Sequence, residues 1–237
     1  MLKEKNPQLI ITFNEDAMAL CLFKPSKDSN KPATLLAYEC NALNYMIVQG
    51  RIMQPFLVTQ HIKDFATRNN LKRYDLAFSC DTSLIQEQCI EFAKPTPLAR
   101  ELSAVWPVGG ASQYSYLFAA EQGGTFLFYT CHTSHAYLFQ LQLLGIALQK
   151  KITQITTHTM CLLQLYKHSK GVTFRQSQLA ADMIAYRMDS GRFFNQDFLF
   201  RLTSISQTLS IDAKKELKFL LPALGLFLHE RKSNENH

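Results

Sequence analysis

The chain has 237 residues, 47% of them apolar and 19% charged, enough to fill a sizeable core. Its net charge of +6 is modest, and its lysines and arginines are scattered, with Lys214, Lys215 and Lys218 the nearest approach to a cluster. Nucleic-acid binding wants a concentrated basic face interleaved with aromatics, so that class is set aside, while docking on anionic lipid headgroups, which needs fewer charges, stays open.

The first elements form a meander. Leu9 to Phe13 and Met18 to Phe23 are apolar runs separated by Asn14, Glu15, Asp16 and Ala17, the pattern of a hairpin with an acidic turn. Pro25 to Pro32 (PSKDSNKP) is a loop, and Thr34 to Tyr38 is a third strand. Gly50 then frees the backbone for a turn, and Pro55 suits the first position of a helix, where its missing N–H would be unpaired anyway. Val58, Ile62, Phe65 and Ala66 follow as one apolar stripe, with Gln60, Lys63, Asp64 and Arg68 on the other side. Gln54 is a weak cap for this helix, and Asn69 and Asn70 suit a left-handed end. Leu76 to Ser79 reads as a strand buried on both faces.

From Ser83 the character changes. Leu84 to Phe92 is a strand of mixed polarity, broken by Ala93 to Pro97. Leu98 to Val105 is a short helix that Pro107 to Gly110 ends. Tyr114 to Ala120 and Thr125 to Cys131 are aromatic and β-branched runs joined by Glu121-Gln122-Gly123-Gly124, a hairpin signal. Ser134 to Gln149 is a helix with Ser134 as its cap; Leu138, Leu141, Gln142 and Gly145 lie near one stripe, with Leu144 and Leu148 beside it. Lys151 to Ile155 reads as strand and Met160 to Lys167 as helix, with His158 a satisfied polar residue at the helix start rather than a catalytic base. Met183 to Met188 and Arg192 to Asn195 read as strands about a plain Asp189-Ser190-Gly191 turn. Ser210 to Leu228 is helical, with a restart at Pro222.

Few residues carry chemistry. Cys21, Cys40, Cys80, Cys89, Cys131 and Cys161 are widely separated, with no CxxC pair, and read as buried free thiols in a reducing compartment. His132 and His135 form HxxH, but no carboxylate or cysteine pair nearby completes a ligand set, so no metal is expected. The start, MLKEKNPQ, is not a signal peptide, and the longest apolar run, Phe219 to Leu228, is ten residues and contains Pro222, short of the roughly 20 that cross a bilayer. The expected location is the cytoplasm. There is no GxGxxG, P-loop or GxSxG, and no acid pair beyond Glu15 and Asp16 at a hairpin tip, so an enzyme is not expected.

The stretch Ile47 to Cys80 (IVQGRIMQPFLVTQHIKDFATRNNLKRYDLAFSC) resembles the PilM family of actin-like proteins of type IV pilus assembly, and its shorter HofM-like members. There a glycine-led turn, a helix, an asparagine turn and a buried strand follow in the same order. The closing LPALGLFLHERK resembles that family's last helix, and the strand, helix, hairpin, helix order from Leu84 to Gln149 resembles the inserted subdomain that PilM shares with FtsA. The resemblance implies an α/β fold. Residues 1–82 and 150–237 would form an actin-like (ribonuclease-H-like) core, interrupted at 83–149 by a small α+β subdomain, with the second actin-like half shortened or missing.

In actin-like ATPases the first hairpin is the first phosphate loop. The resemblance lays its Asp on Thr12, its Gly on Asn14, its hydroxyl positions on Glu15 and Asp16, and the lysine that follows in PilM on Ala19. Two carboxylates in the place of a polyphosphate repel it, and loss of the glycine hinders close backbone approach, so ATP is not expected to bind. The implied function is a noncatalytic scaffold, peripheral at the inner membrane. It would hold the cytoplasmic N-terminal tail of a PilN-like single-span protein in a groove between core and insert, with a homodimer possible. The competing class is a nucleotide-dependent ATPase or phosphotransferase of the actin and sugar-kinase superfamily, on fold analogy alone.

Overall fold

The computed structural model describes residues 7–15, 17–24, 33–42, 45–95, 101, 112–122, 124–168, 203–205 and 213–233. The first two long apolar runs form β1 (Gln8–Phe13) and β2 (Ala17–Lys24), an antiparallel pair with Gln8 opposite Phe23 and Phe13 opposite Met18. Both faces of this pair are buried. Leu9, Ile10, Ile11, Phe13, Met18, Leu20, Leu22 and Phe23 all lie in the core, so the runs are continuously apolar rather than alternating. β3 (Ala33–Ala42) continues the meander antiparallel to β2.

Next come β4 (Ile47–Val48) and β5 (Arg51–Ile52), a two-stranded ribbon whose turn holds Gly50 at φ +76°. The helix α1 (Pro55–Arg68) starts at Pro55 as expected, and the Gln54 side chain makes no capping bond. Its end is closed by Asn69, whose Nδ2 donates to the Phe65 carbonyl at 2.9 Å, and by Asn70 at φ +53°. β6 (Asp75–Cys80) then pairs parallel to β1, with Leu9 opposite Leu76 and Phe13 opposite Cys80.

The chain leaves this sheet after Cys80. β7 (Ile85–Phe92), β8 (Ser112–Gln122) and β9 (Thr125–Ser134) form a separate antiparallel sheet in the order β7-β9-β8. Among the described residues none of these strands pairs with the larger sheet. The helix α2 (His135–Leu148) follows directly, its first turn capped by Ser134, whose Oγ accepts the Tyr137 N–H at 3.2 Å. Gln149 ends it at φ +52°, a position glycine usually takes. β10 (Ile152–Thr157) returns to the large sheet parallel to β6, and α3 (His158–His168) follows without a break. β11 (Thr203–Ile205) lies parallel on the start of β3, and α4 (Ala213–Ser233) closes the described chain.

The large sheet therefore has the order β10-β6-β1-β2-β3-β11. Three antiparallel strands with two further strands laid parallel beside the first is the connectivity of one ribonuclease-H-like half. Neighbouring residues of β6 show the layering, because successive side chains of a strand point to opposite faces. Ser79 Oγ meets Cys161 Sγ of α3 at 3.3 Å, whereas Cys80 faces Tyr137 of α2. Helices α3 and α4 thus cover one face and α1 and α2 the other, a three-layer arrangement with the sheet in the middle.

One expectation needs correction. Pro222 lies inside a continuous α4, between the buried Leu221 and Ala223, and does not mark a restart. It leaves the Lys218 carbonyl without its usual intrahelical donor, and burial of the helix along Phe219 to Phe227 holds it together instead. The segments expected as a helix at 98–105 and as strands at 183–188 and 192–195 lie outside the described residues, apart from the single helical residue Glu101.

Candidate functional site

In open α/β sheets, ligand sites form beyond the carboxyl ends of parallel strands. Here β1, β6 and β10 run parallel side by side, and their carboxyl ends bring together Asn14 and Glu15, Asp81 to Ser83, and Thr157 and His158. Of the four residues expected at a phosphate loop, Asn14 and Glu15 sit at the β1–β2 tip. Thr12 lies within β1, fully buried and paired across the sheet with Ala19 and Ser79, two residues short of that tip. Asp16 lies outside the described residues.

The tip is closed by its own side chains. Asn14 N–H donates to the Ala17 carbonyl at 3.1 Å, and the Asn14 Oδ1 accepts the Ala17 N–H at 2.9 Å. Glu15 Oε1 accepts the Ser83 N–H at 3.0 Å, and Ser83 Oγ donates to the Gln49 carbonyl. A phosphate loop works by presenting backbone N–H groups to the ligand's oxygens. At this tip the Ala17 N–H is already held by the Asn14 amide, and the tip's own carboxylate, Glu15, is turned to the Ser83 N–H that follows β6. The Glu15 carboxylate thus occupies, in charge and in hydrogen bonding, the role of an anion.

A second group of polar residues was not expected from the sequence. Thr157 precedes α3 as its cap, its Oγ1 accepting the Met160 N–H at 3.1 Å. The same hydroxyl meets Tyr129 Oη of β9 at 2.7 Å, and Tyr129 donates to the Glu87 carboxylate on β7. Thr159 Oγ1 donates to the other Glu87 oxygen at 3.4 Å. The directions are consistent throughout: Thr157 donates to Tyr129 and Tyr129 to Glu87. Tyr129 is wholly buried, and its phenol is pushed well above its ordinary pKa by burial, then by the nearby Glu87 charge. It stays protonated and remains a donor. The signal available in the sequence was the phase of β7, where Glu87 shares a face with the buried Ile85 and half-buried Cys89.

His158, beside this group, is buried, and its Nε2 lies 3.2 Å from the Ser79 carbonyl. A carbonyl accepts only, so Nε2 carries a proton. Burial lowers its pKa to about 4, against the opposing pull of Glu87 and the Ser79 bond. Its ring meets Phe219 of α4 edge-on. The expected role of a satisfied residue at a helix start fits this placement.

The HxxH pair is divided between the end of β9 and the first residue of α2, so the two imidazoles do not share a helical face. Among the described residues no group of three or more His, Cys, Asp and Glu is placed to hold a metal ion. None of the six cysteines forms a disulfide. Four are buried, Cys89 is half-buried with its pKa raised by burial to about 11, and Cys40 is exposed, contrary to the expectation of burial. Its place near the end of β3, beyond the three residues that β11 covers, explains the difference.

No family model matches the chain, and no curated protein matches it. Solved structures do. A PilM–PilN type IV pilus biogenesis complex overlaps 67% of this chain with 49% of its own at a TM-score of 0.54 and 12% identity. The fold is actin-like. This chain thus spans about half the length of the PilM–PilN match. The cytoplasmic domain of EpsL, an inner-membrane component of the Vibrio cholerae type II secretion system, overlaps 66% of this chain and 57% of its own at a TM-score of 0.39 and 8% identity. Thermus thermophilus RuvC overlaps 95% and 97% at 0.43 and 9%.

Proposed function

We propose that this chain is a noncatalytic scaffold of type IV pilus, or competence pilus, assembly, working in the cytoplasm at the inner membrane. In this reading residues 1–82 and 150–237 are the actin-like core and 83–149 an inserted subdomain, and the groove between them holds the cytoplasmic tail of a PilN-like single-span membrane protein. The observation that carries the reading is the bond between Glu15 and Ser83. It joins the β1–β2 tip to Ser83, the first part of the insert in this reading, and it puts a carboxylate where the resemblance lays a phosphate loop. The seam between core and insert is then fixed without ATP. The relay from Thr157 through Tyr129 to Glu87 ties the same two parts together by a second route.

An extended tail in such a groove is held by main-chain hydrogen bonds and a few side-chain pockets, neither of which depends on nucleotide. The test is titration of the full chain with a labelled peptide copied from the tail of a PilN-like protein encoded beside it, with and without ATP and magnesium. Binding in the micromolar range, about −8 kcal/mol, unchanged by ATP, is the expected result. A peptide that fails to bind at millimolar concentration removes the scaffold reading. Binding that appears only with ATP, or micromolar ATP binding by itself, turns the assignment towards a nucleotide-dependent enzyme.

A further inference from the structure

A helix on the surface of a domain normally turns charged residues outward. α2 does not: its fourteen residues, HAYLFQLQLLGIAL, include no Asp, Glu, Lys or Arg. Tyr137, Leu141, Leu144 and Leu148 point inward and are buried. Outward, Phe139 is 56% exposed, Leu143 42% and Ile146 68%, at the i, i+4, i+7 spacing that makes one straight stripe. Gln140 Oε1 accepts the Ile52 N–H, which draws the β4–β5 ribbon and the start of α1 alongside. There Met53, Phe56 and Leu57 are also exposed, Phe56 to 75%. Taken together these six side chains offer roughly 600 Å² of apolar surface, at the upper end of what a monomer leaves open without a purpose.

We propose that this face is a two-fold contact between two copies of the chain, with α2 packed antiparallel against α2 of the second copy and Met53 and Phe56 flanking it. Three observations favour a second copy over another occupant. In a two-fold contact each patch meets itself, so any charge near the axis meets its like; α2 carries none. Antiparallel α2 helices set each amino end beside the other's carboxyl end, the favourable arrangement of helix dipoles. Finally, two such patches together bury about 1,200 Å², above the roughly 1,000 Å² that a specific interface needs. None of the six side chains of this face takes part in the Glu15–Ser83 bond, so the contact does not depend on the scaffold reading.

The test is sedimentation velocity of the full chain from about 1 to 100 µM, a span chosen to bracket a micromolar dimer. A dimer that dissociates on dilution is expected. Ile146→Lys and Phe139→Glu, each placing like charges across the axis, should raise the dissociation constant at least about tenfold while leaving the melting temperature of the dilute monomer unchanged, since both side chains point outward. Should either variant unfold, Leu143→Cys in a Cys40→Ser background decides instead, because mild oxidation should link two copies through the residue at the middle of the stripe. The proposal is overturned by a chain that stays monomeric throughout, by variants that dimerise as well as the parent, or by a Leu143→Cys chain that does not cross-link. A monomer that instead floats with phosphatidylglycerol vesicles assigns the face to lipid.

Discussion

Gly225 of α4 lies against the backbone of Cys161 in α3 so closely that a Cβ on residue 225 would sit 2.1 Å from the Cys161 carbonyl oxygen and 2.8 Å from its carbon. This is where the two helices cross, over the face of the sheet that Thr12 and Ser79 line. The obstacle is backbone, so no change of rotamer relieves it. Gly225→Ala should therefore force the helices apart and lower stability by about 1–3 kcal/mol, even though alanine is the better helix former by about 1 kcal/mol. Thermal or urea unfolding of the purified variant measures this. An unchanged or raised stability would mean that α3 and α4 do not approach at these residues.

His158 gives the fold a pH dependence of definite sign. Its folded pKa is near 4, against about 6.5 unfolded, so between those values the unfolded chain holds a proton that the native chain does not. Stability is then full above about pH 6.5 and falls as pH drops towards 4, by at most about 3 kcal/mol from this residue. His158→Gln keeps a donor for the Ser79 carbonyl but does not titrate. Urea midpoints at pH 7.5 and 5 should differ clearly for the parent and much less for the variant. Equal differences in both would assign the pH dependence to other groups.

Much of the fold was legible because the patterns that carried it are physically redundant. β1, β2 and β6 are apolar on both faces because helices cover both, and α1 has a proline at its first position and asparagines at its end. Ser134 capped α2 as its residue type suggested. The misses have physical causes too. Pro222 is the usual signature of a break, but the burial around it outweighs one lost hydrogen bond. Cys40 sits in an apolar-looking strand whose last residues lack a neighbour from β11. The relay through Tyr129 joins residues 87, 129 and 157, which no local window brings together, and only the phase of Glu87 on β7 hinted at it. At the tip, the residue types spoke against phosphate, but that Glu15 would reach Ser83, 68 residues away, could not be read from the chain.

The relay itself should be cooperative. Tyr129→Phe removes the donor to Glu87 and the acceptor for Thr157 while keeping the ring, leaving a half-buried carboxylate short of one partner. The expected loss is about 1–3 kcal/mol. Glu87→Gln on its own should cost less, since an amide still accepts. Combined, the two should cost less than their sum, because the amide at position 87 carries no charge to be stranded beside the bare phenyl ring at position 129. Strict additivity in urea unfolding of the four chains would show that Tyr129 and Glu87 do not act as a pair.

The closed tip makes a prediction about nucleotide that separates two possible causes. If the Glu15 charge alone kept phosphate out, Glu15→Ala would open a site. The geometry says otherwise, because the Asn14 side chain still holds the Ala17 N–H and the Asn14 N–H still donates to the Ala17 carbonyl. Calorimetry with ATP and magnesium should therefore be flat for the parent and remain flat for Glu15→Ala. What the substitution should change is the seam: the Ser83 amide loses its acceptor, and its hydrogen exchange should quicken by about tenfold, equivalent to roughly 1.4 kcal/mol of lost local protection. Glu15→Gln, which keeps an acceptor oxygen, should exchange close to the parent rate. Micromolar ATP binding by Glu15→Ala would show that the tip retains a working phosphate loop held shut by one carboxylate. An unaltered Ser83 exchange rate would mean that the carboxylate does not secure the passage from β6 to β7.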